Sequence, residues 1–302
     1  MSVFYDNISG TRACKRSRSV IREMRRKKQT SLLELLSSPL LPWRILYANR
    51  ELTGTLALRT WQSRYKGSLF NFLWAFLTPV FLLLVYYLAF GLILNLRSHA
   101  GNTEIPYALT MFCGMAVYNI FSESVSAACY SVVSQPGYVK KALFDLEVIP
   151  FSSLGGSLIS GGIWLAVATV AGWIFGRTGV QCLLLPVLLL PYILFCCGCV
   201  FLVAAGSVFL RDLPMLTSLL LQGLFFLCPV IYPVEIVPEA YRCWIRLNPL
   251  SWYVESIRGV ILTTDGVLSW PVLPVLYLSG GISFLLGFLF FVKTKRGFAD
   301  VL

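Results

Sequence analysis

The chain has 302 residues, 57% of them hydrophobic and 13% charged, with a mean hydropathy of +0.74. Soluble domains carry roughly a quarter charged residues, so this composition excludes a soluble fold of this size and makes lipid the solvent. The formal net charge of +11 is unevenly distributed, because nine Lys or Arg fall between Arg12 and Lys28.

Residues 1–30 read as a basic, disordered cytoplasmic tail, each cation near an anionic bilayer contributing about 1 kcal/mol. No folded nucleic-acid module accompanies the run, so no nucleic acid is expected as a partner. Glu34, Pro39 and Pro42 interrupt the nearest apolar stretch, which argues against a signal peptide. Residues 31–66 read as a cytoplasmic, interfacial helical segment. Within it Tyr47, Leu58, Trp61 and Tyr65 form one partial apolar stripe, and Ile45, Leu52 and Leu56 another.

A crossing helix needs about 20 apolar residues to span roughly 30 Å of hydrocarbon. Stretches free of Asp, Glu, Lys and Arg place six candidate spans near 70–94, 106–129, 150–175, 182–209, 214–232 and 269–291. The expectation is an all-α membrane protein with six transmembrane helices per subunit, occupying residues 67–302. Pro106, Pro150, Pro214, Pro271 and Pro274 sit near span ends, where a missing N–H costs least. Pro186 and Pro191 fall inside the fourth span and are expected to kink it. With the N-terminus inside, cytoplasmic segments hold 20 of the 25 Lys and Arg, so both termini are expected in the cytoplasm.

Between the second and third spans, Val139, Ala142, Leu143 and Leu146 recur at helical spacing, with Lys140, Lys141, Asp145 and Glu147 between them. This short amphipathic helix either rests on the protein's own spans and lipid or docks in a partner's groove. After the fifth span, residues 233–265 are too short for two crossings. Asn248 and Pro249 read as an N-cap and first helical position, so Leu250–Leu262 forms a short helix that dips back as a re-entrant segment. Asn248, Pro249, Glu255 and Arg258 would line its mouth.

Catalytic devices are missing. There is no GxxxxGK[ST] phosphate loop, HExxH, GxSxG or paired-carboxylate cluster, and the lone His99 sits in an outer loop. No cofactor or metal is expected in this chain. Cys196, Cys197 and Cys199 are close in sequence but lack a zinc-completing set, so they read as apolar packing. Glu123 is the one acid within a span region, and function and structure are equal readings for it. Aromatic residues make up 14% of the chain. Belts and packing account for most of them. Trp74, Tyr86, Tyr87, Phe90, Tyr118, Phe225 and Phe226 are also candidates for rings along a path, where they would offer sugars a stacking surface without tight binding.

Several motifs then carry a resemblance. Arg64-Tyr65-Lys66-Gly67-Ser68, Leu73-Trp74, Thr78-Pro79 and Phe90-Gly91 come first in the chain. They are followed in order by Val139–Pro150, Phe209–Leu213, Cys228–Pro233, Leu247–Arg258 and the closing K-R-G-F-A-D-V-L. Together they resemble the ABC-2-type permeases that export capsule, O-antigen and teichoic acid polysaccharides. The chain departs from the family at Phe70-Asn71 and at Phe144-Asp145-Leu146-Glu147, and the basic extension is additional.

The resemblance implies a homodimer in the bacterial cytoplasmic (inner) membrane above a separate ABC ATPase dimer that binds ATP and Mg. A lipid-linked polysaccharide would pass outward through a conduit at the dimer interface. Val139, Lys140, Lys141, Leu143, Leu146 and Glu147 would receive the ATPase. Gly172 and Gly176, spaced GxxxG, would either permit close helix packing or simply face lipid. The alternatives are an ABC-2 permease for a drug or small lipid, and a membrane-embedded transferase acting on lipid-linked sugars.

Overall fold

The computed structural model describes residues 41–67, 70, 72–94, 97–100, 103–137, 145–175, 178–262 and 271–301. Residues from Ile45 onward form one unit, separate from the unit that ends at Arg44. Helix α1 (Leu41–Ala48) is followed at Asn49 by α2 (Arg50–Ser63). The junction is tight, since the Asn49 N–H donates to the Ile45 carbonyl at 3.1 Å and the Thr53 N–H to Asn49 at 2.9 Å.

The bundle follows. Helix α3 (Leu73–Tyr86) runs on through a wider π-helical stretch, Tyr87–Ile93. Two short antiparallel strands, β1 (Arg97–Ala100) and β2 (Thr103–Pro106), pair Arg97 with Pro106 and Ala100 with Thr103. They are an addition to the otherwise helical expectation. Then come α4 (Tyr107–Ser131), α5 (Val148–Ile174), a 3₁₀ turn Val180–Leu184 leading into α6 (Leu185–Phe209), and α7 (Leu213–Leu227). Last are α8 (Glu239–Leu247), α9 (Pro249–Leu262), α10 (Val272–Thr294) and the short α11 (Phe298–Val301).

Four of these runs are long and apolar enough to cross a membrane: Leu73–Ile93, Val148–Ile174, Val180–Phe209 and Val272–Gly297. Helix α4 has 25 residues, about 37 Å, but is more polar. Helix α7 has 15 residues, about 22 Å, short of the hydrocarbon thickness.

Pairwise contacts give the direction of each helix. Helices α6 and α10 run parallel, with Val187 beside Tyr277, Phe195 beside Ser283 and Phe209 beside Phe298. Glycines allow this approach, because a Cβ on Gly287 would stand 2.1 Å from the Gly198 carbonyl oxygen and one on Gly280 2.4 Å from that of Pro191. Helix α4 runs the same way, with Tyr192 donating to Val117 at 2.7 Å and Phe195 stacked on Phe121. Helix α5 runs oppositely to α4, since Ile120 meets Gly161 while Phe112 stacks on Trp164. Phe201, with Phe151, Phe284, Phe288 and Phe291 around it at 4.9–6.5 Å between ring centroids, fills the core.

Helix α2 packs on the bundle through small side chains. Of the apolar stripes read across α1 and α2, Tyr47, Leu52 and Leu58 are exposed, while Ile45, Leu56, Trp61 and Tyr65 are half-buried. The packed side is made of small residues instead: Thr53 and Ala57 are buried, and Ala57 and Thr60 sit against Gly155 and Gly156. Small side chains let α2 lie close along the first part of α5, whereas large rings would hold it off.

Candidate transport path and coupling end

Three groups of functional candidates gather at different levels of the bundle. At one end, the Asn49 amide donates to the Asp145 carboxylate at 3.2 Å. Beside it the Lys295 ammonium donates to Glu147, which is only 1% exposed. A carboxylate that deep needs an opposing charge, and Lys295, just beyond α10, supplies it. Of the residues expected to receive an ATPase, Glu147 is therefore closed off within the chain, and Leu146 is partly buried. Val139, Lys140, Lys141 and Leu143 lie outside the described residues.

Further along, α2, α4 and α5 share a polar node. Arg64, just past the end of α2, is ion-paired with Glu123 of α4. Its other guanidinium hydrogens reach the Ser160 hydroxyl at 3.2 Å and the Ser157 hydroxyl at 3.4 Å, both on α5. Burial lowers the Arg64 pKa from its ordinary value, as for any cation drawn out of water. Sequence reading singled out Glu123 and, separately, the Arg64 motif, but had no signal that joined them. The pairing is set by the approach of α2 to α5, which no local pattern encodes.

The expected path aromatics do not form one row. Tyr86, Phe90 and Tyr107 make one string, with successive ring centroids 6.2 and 5.7 Å apart. Tyr87 stacks obliquely on Phe175, and Trp74 meets Phe70 edge-on. Tyr118, Phe225 and Phe226 make a second group on α4 and α7. There Tyr118 is buried and donates its hydroxyl to the Leu221 carbonyl, so it joins two helices, while Phe226 is 65% exposed. Helix α3 is almost wholly uncovered, with Leu, Val and Phe open on all sides.

The third group joins two of the family-like motifs. Past α7, the chain is extended at Cys228, and Gly114 of α4 is pressed against Val230, whose carbonyl oxygen would lie 2.4 Å from an added Cβ. Arg258, 7% exposed, donates to the Pro229 carbonyl at 2.9 Å and faces Glu255 at 3.9 Å. The Asn248 carboxamide accepts from the Leu250 N–H at 3.1 Å, the expected N-cap, and its NH₂ reaches the Cys228 sulfur at 3.0 Å. Helix α9 is deeply buried, Tyr253 donating to Leu276 at 2.7 Å and standing 2.9 Å from the Ser279 hydroxyl. Helix α8 carries Tyr241, Trp244 and Leu247 exposed on its surface. Cys196 and Cys197 are buried in α6, and Cys199 lies 3.8 Å from the Ser283 hydroxyl. Gly172 lies close to Thr178 and the Ile261 carbonyl at the far end of the bundle, while Gly176 is outside the described residues.

Known proteins bear on this arrangement. The family model described as "ABC-2 type transporter" matches residues 51–262, from the start of α2 to the end of α9. An O-antigen export system permease protein RfbA of Klebsiella pneumoniae is 27% identical over 253 residues, covering 79% of this chain and 90% of that protein. The protein of the same name from Myxococcus xanthus is 30% identical over 220 residues, covering 72% and 82%. The polysialic acid transport protein KpsM of Escherichia coli is 24% identical over 211 residues, covering 68% and 80%.

Proposed function

The chain belongs to the ABC-2 type transporter family, and from that premise we propose that it is the permease subunit of an ATP-driven exporter moving a lipid-linked polysaccharide outward across the bacterial inner membrane. The observation that carries this reading is likeness over most of the length of relatives named for O-antigen export and polysialic acid transport. In this reading two copies form the conduit and a separate ATPase dimer docks below them.

Four apolar runs, α4 and the short α7 make six crossings with both termini cytoplasmic. The direction of α5, opposite to that of α4, α6 and α10, and the basic N-terminal segment support that count. Helix α7 completes its crossing with the Cys228–Val230 turn, whose buried Pro229 carbonyl is satisfied by Arg258 rather than by water. Helices α8 and α9 then make the re-entrant hairpin, with its turn at Asn248. ATPase closure would push the segment around Lys140–Pro150 and, through α2 and Lys295, move the ends of α5 and α10.

The test is deletion of the chain followed by surface-glycan analysis, together with co-purification of the ATPase and its hydrolysis rate with and without glycan. The expected result is loss of export, a stable complex and glycan-stimulated hydrolysis. Unchanged surface glycan with altered drug or small-lipid efflux would overturn it. Replacing Tyr86 or Phe90 by Ala is expected to slow export while leaving assembly intact.

A further inference from the structure

Helix α4 is inverted for a helix surrounded by lipid. Its buried side is largely apolar, and the buried hydroxyls of Ser124 and Ser131 donate to carbonyls of their own helix. Its incompletely buried side instead carries Asn119, Ser122, Glu123 and Ser126, with Met115 and Ala127 beside them. The four polar residues fall at i, i+3, i+4 and i+7, so they form one stripe, which the exposed Tyr130 continues toward the end of the helix.

Within the stripe, Ser122 approaches the Asn119 carbonyl at 3.4 Å and Glu123 is held by Arg64. The Asn119 carboxamide and Ser126 hydroxyl find no side-chain partner among the described residues. Helix α3 has the opposite pattern, with Phe, Leu and Val turned outward. Hydrocarbon has no donors or acceptors for an amide and hydroxyls, so the open side of α4 is unsuited to lipid.

We propose that this stripe is the hydrophilic track of the conduit, along which a hydroxyl-rich glycan exchanges hydrogen bonds with Asn119, Ser122 and Ser126 as it moves. The inference rests on the permease reading and gives that path its polar wall. Short neutral groups, spaced one helical turn apart, offer weak and renewable bonds to successive sugar hydroxyls. The one charge in the stripe is neutralised within the chain by Arg64, so a passing chain meets no unpaired carboxylate. Tyr118, next to Asn119 in the chain, contacts Phe225 edge-on, and the neighbouring Phe226 ring is exposed and offers a stacking surface for the apolar faces of the same sugars. A dry seam between two copies would need the Asn119 and Ser126 groups paired, and hydration leaves them free to exchange.

The test uses the assembled permease and ATPase in cells. Asn119→Leu and Ser126→Leu are expected to abolish export while dimer formation and ATPase association stay at wild-type levels, and Asn119→Gln and Ser126→Thr are expected to retain export. Asn119→Cys and Ser126→Cys are expected to react with a charged, membrane-impermeant maleimide and to be protected when a glycan is stalled in the complex. Wild-type export by both Leu variants overturns the proposal. So does loss of the dimer in them, which assigns the stripe to a seam between copies. Labelling only by a lipid-soluble reagent, which places the stripe in lipid, overturns it as well. If the unaltered chain is dispensable for glycan export, the permease reading fails instead.

Discussion

Arg64 and Glu123 are joined as an ion pair although 59 positions separate them in the chain, and the pair connects the end of α2 to the middle of α4. Ser157 and Ser160 of α5 hold the same guanidinium, so three helices meet at one cation. Helix α2 precedes the first apolar run, so this pair ties the segment ahead of the bundle to the bundle itself.

Arg64→Glu is therefore expected to lower the thermal unfolding midpoint of the detergent-purified chain and to cut export, because it sets two carboxylates side by side. The double variant Arg64→Glu with Glu123→Arg is expected to recover most of both losses. A neutral Arg64→Gln should cost about 1–3 kcal/mol, the range for losing hydrogen bonds to a charged group. A charge swap that recovers nothing would remove the pairing from the explanation.

The buried Glu147 separates stability from ATPase docking. Glu147→Gln keeps the shape but loses the charge opposite Lys295, with an expected loss of about 1–3 kcal/mol of stability and retained ATPase association. Lys140→Glu, Lys141→Glu and Leu143→Asp are expected to reverse that outcome, leaving the melting curve unchanged and abolishing co-purification with the ATPase. Intact association in all three would sink the docking assignment.

Arg258 is expected to be irreplaceable by an apolar residue of similar size. Arg258→Leu leaves the Pro229 carbonyl without its donor in the buried stretch after α7, at a cost of about 1–3 kcal/mol. Arg258→Lys, which keeps a donor, should fall between the two in both melting and export. Equal behaviour of Leu and Lys variants would show that the carbonyl is satisfied without this residue.

Glycine contacts allow a paired control. At Gly287 a side chain meets the Gly198 backbone, so Gly287→Val is expected to destabilise by about 1–3 kcal/mol through overpacking. Gly162 and Gly281 lie in helices with open space where a Cβ would go, so Ala there should be neutral or stabilising by up to about 1 kcal/mol. Unfolding in a single detergent compares all three.

Local pattern made much of this architecture readable. Charge-free runs located α3, α5, α6 and α10 with small end errors, because a long apolar stretch has few alternatives to a membrane helix. The N-cap at Asn248 and the helix from Pro249 to Leu262 were legible for the same local reason, an Asn-Pro start followed by an apolar run. Where contacts are long-range, pattern failed. The blurred stripes of α2 did not reveal its packed side, which is made by Thr53 and Ala57 because Gly155 and Gly156 admit only small partners. That the Tyr118 hydroxyl joins α4 to the Leu221 carbonyl of α7 had no local signal either. Glu147 read as a surface residue of an amphipathic helix, but it lies beneath Lys295 from the far end of the chain.

The sequence by itself determined the solvent, the apolar runs and, through the order of its motifs, the likeness to a transporter family. All of these follow from composition and short spacing. Only the tertiary structure decided how the scattered charges are spent. Arg64 with Glu123, Lys295 with Glu147 and Arg258 with Pro229 each join segments far apart in the chain, because an ionised or polar group drawn partly or wholly out of water finds its partner wherever packing brings one. The same packing left Asn119 and Ser126 on the open side of α4, and that face became visible only once the other side of the helix was seen to be buried.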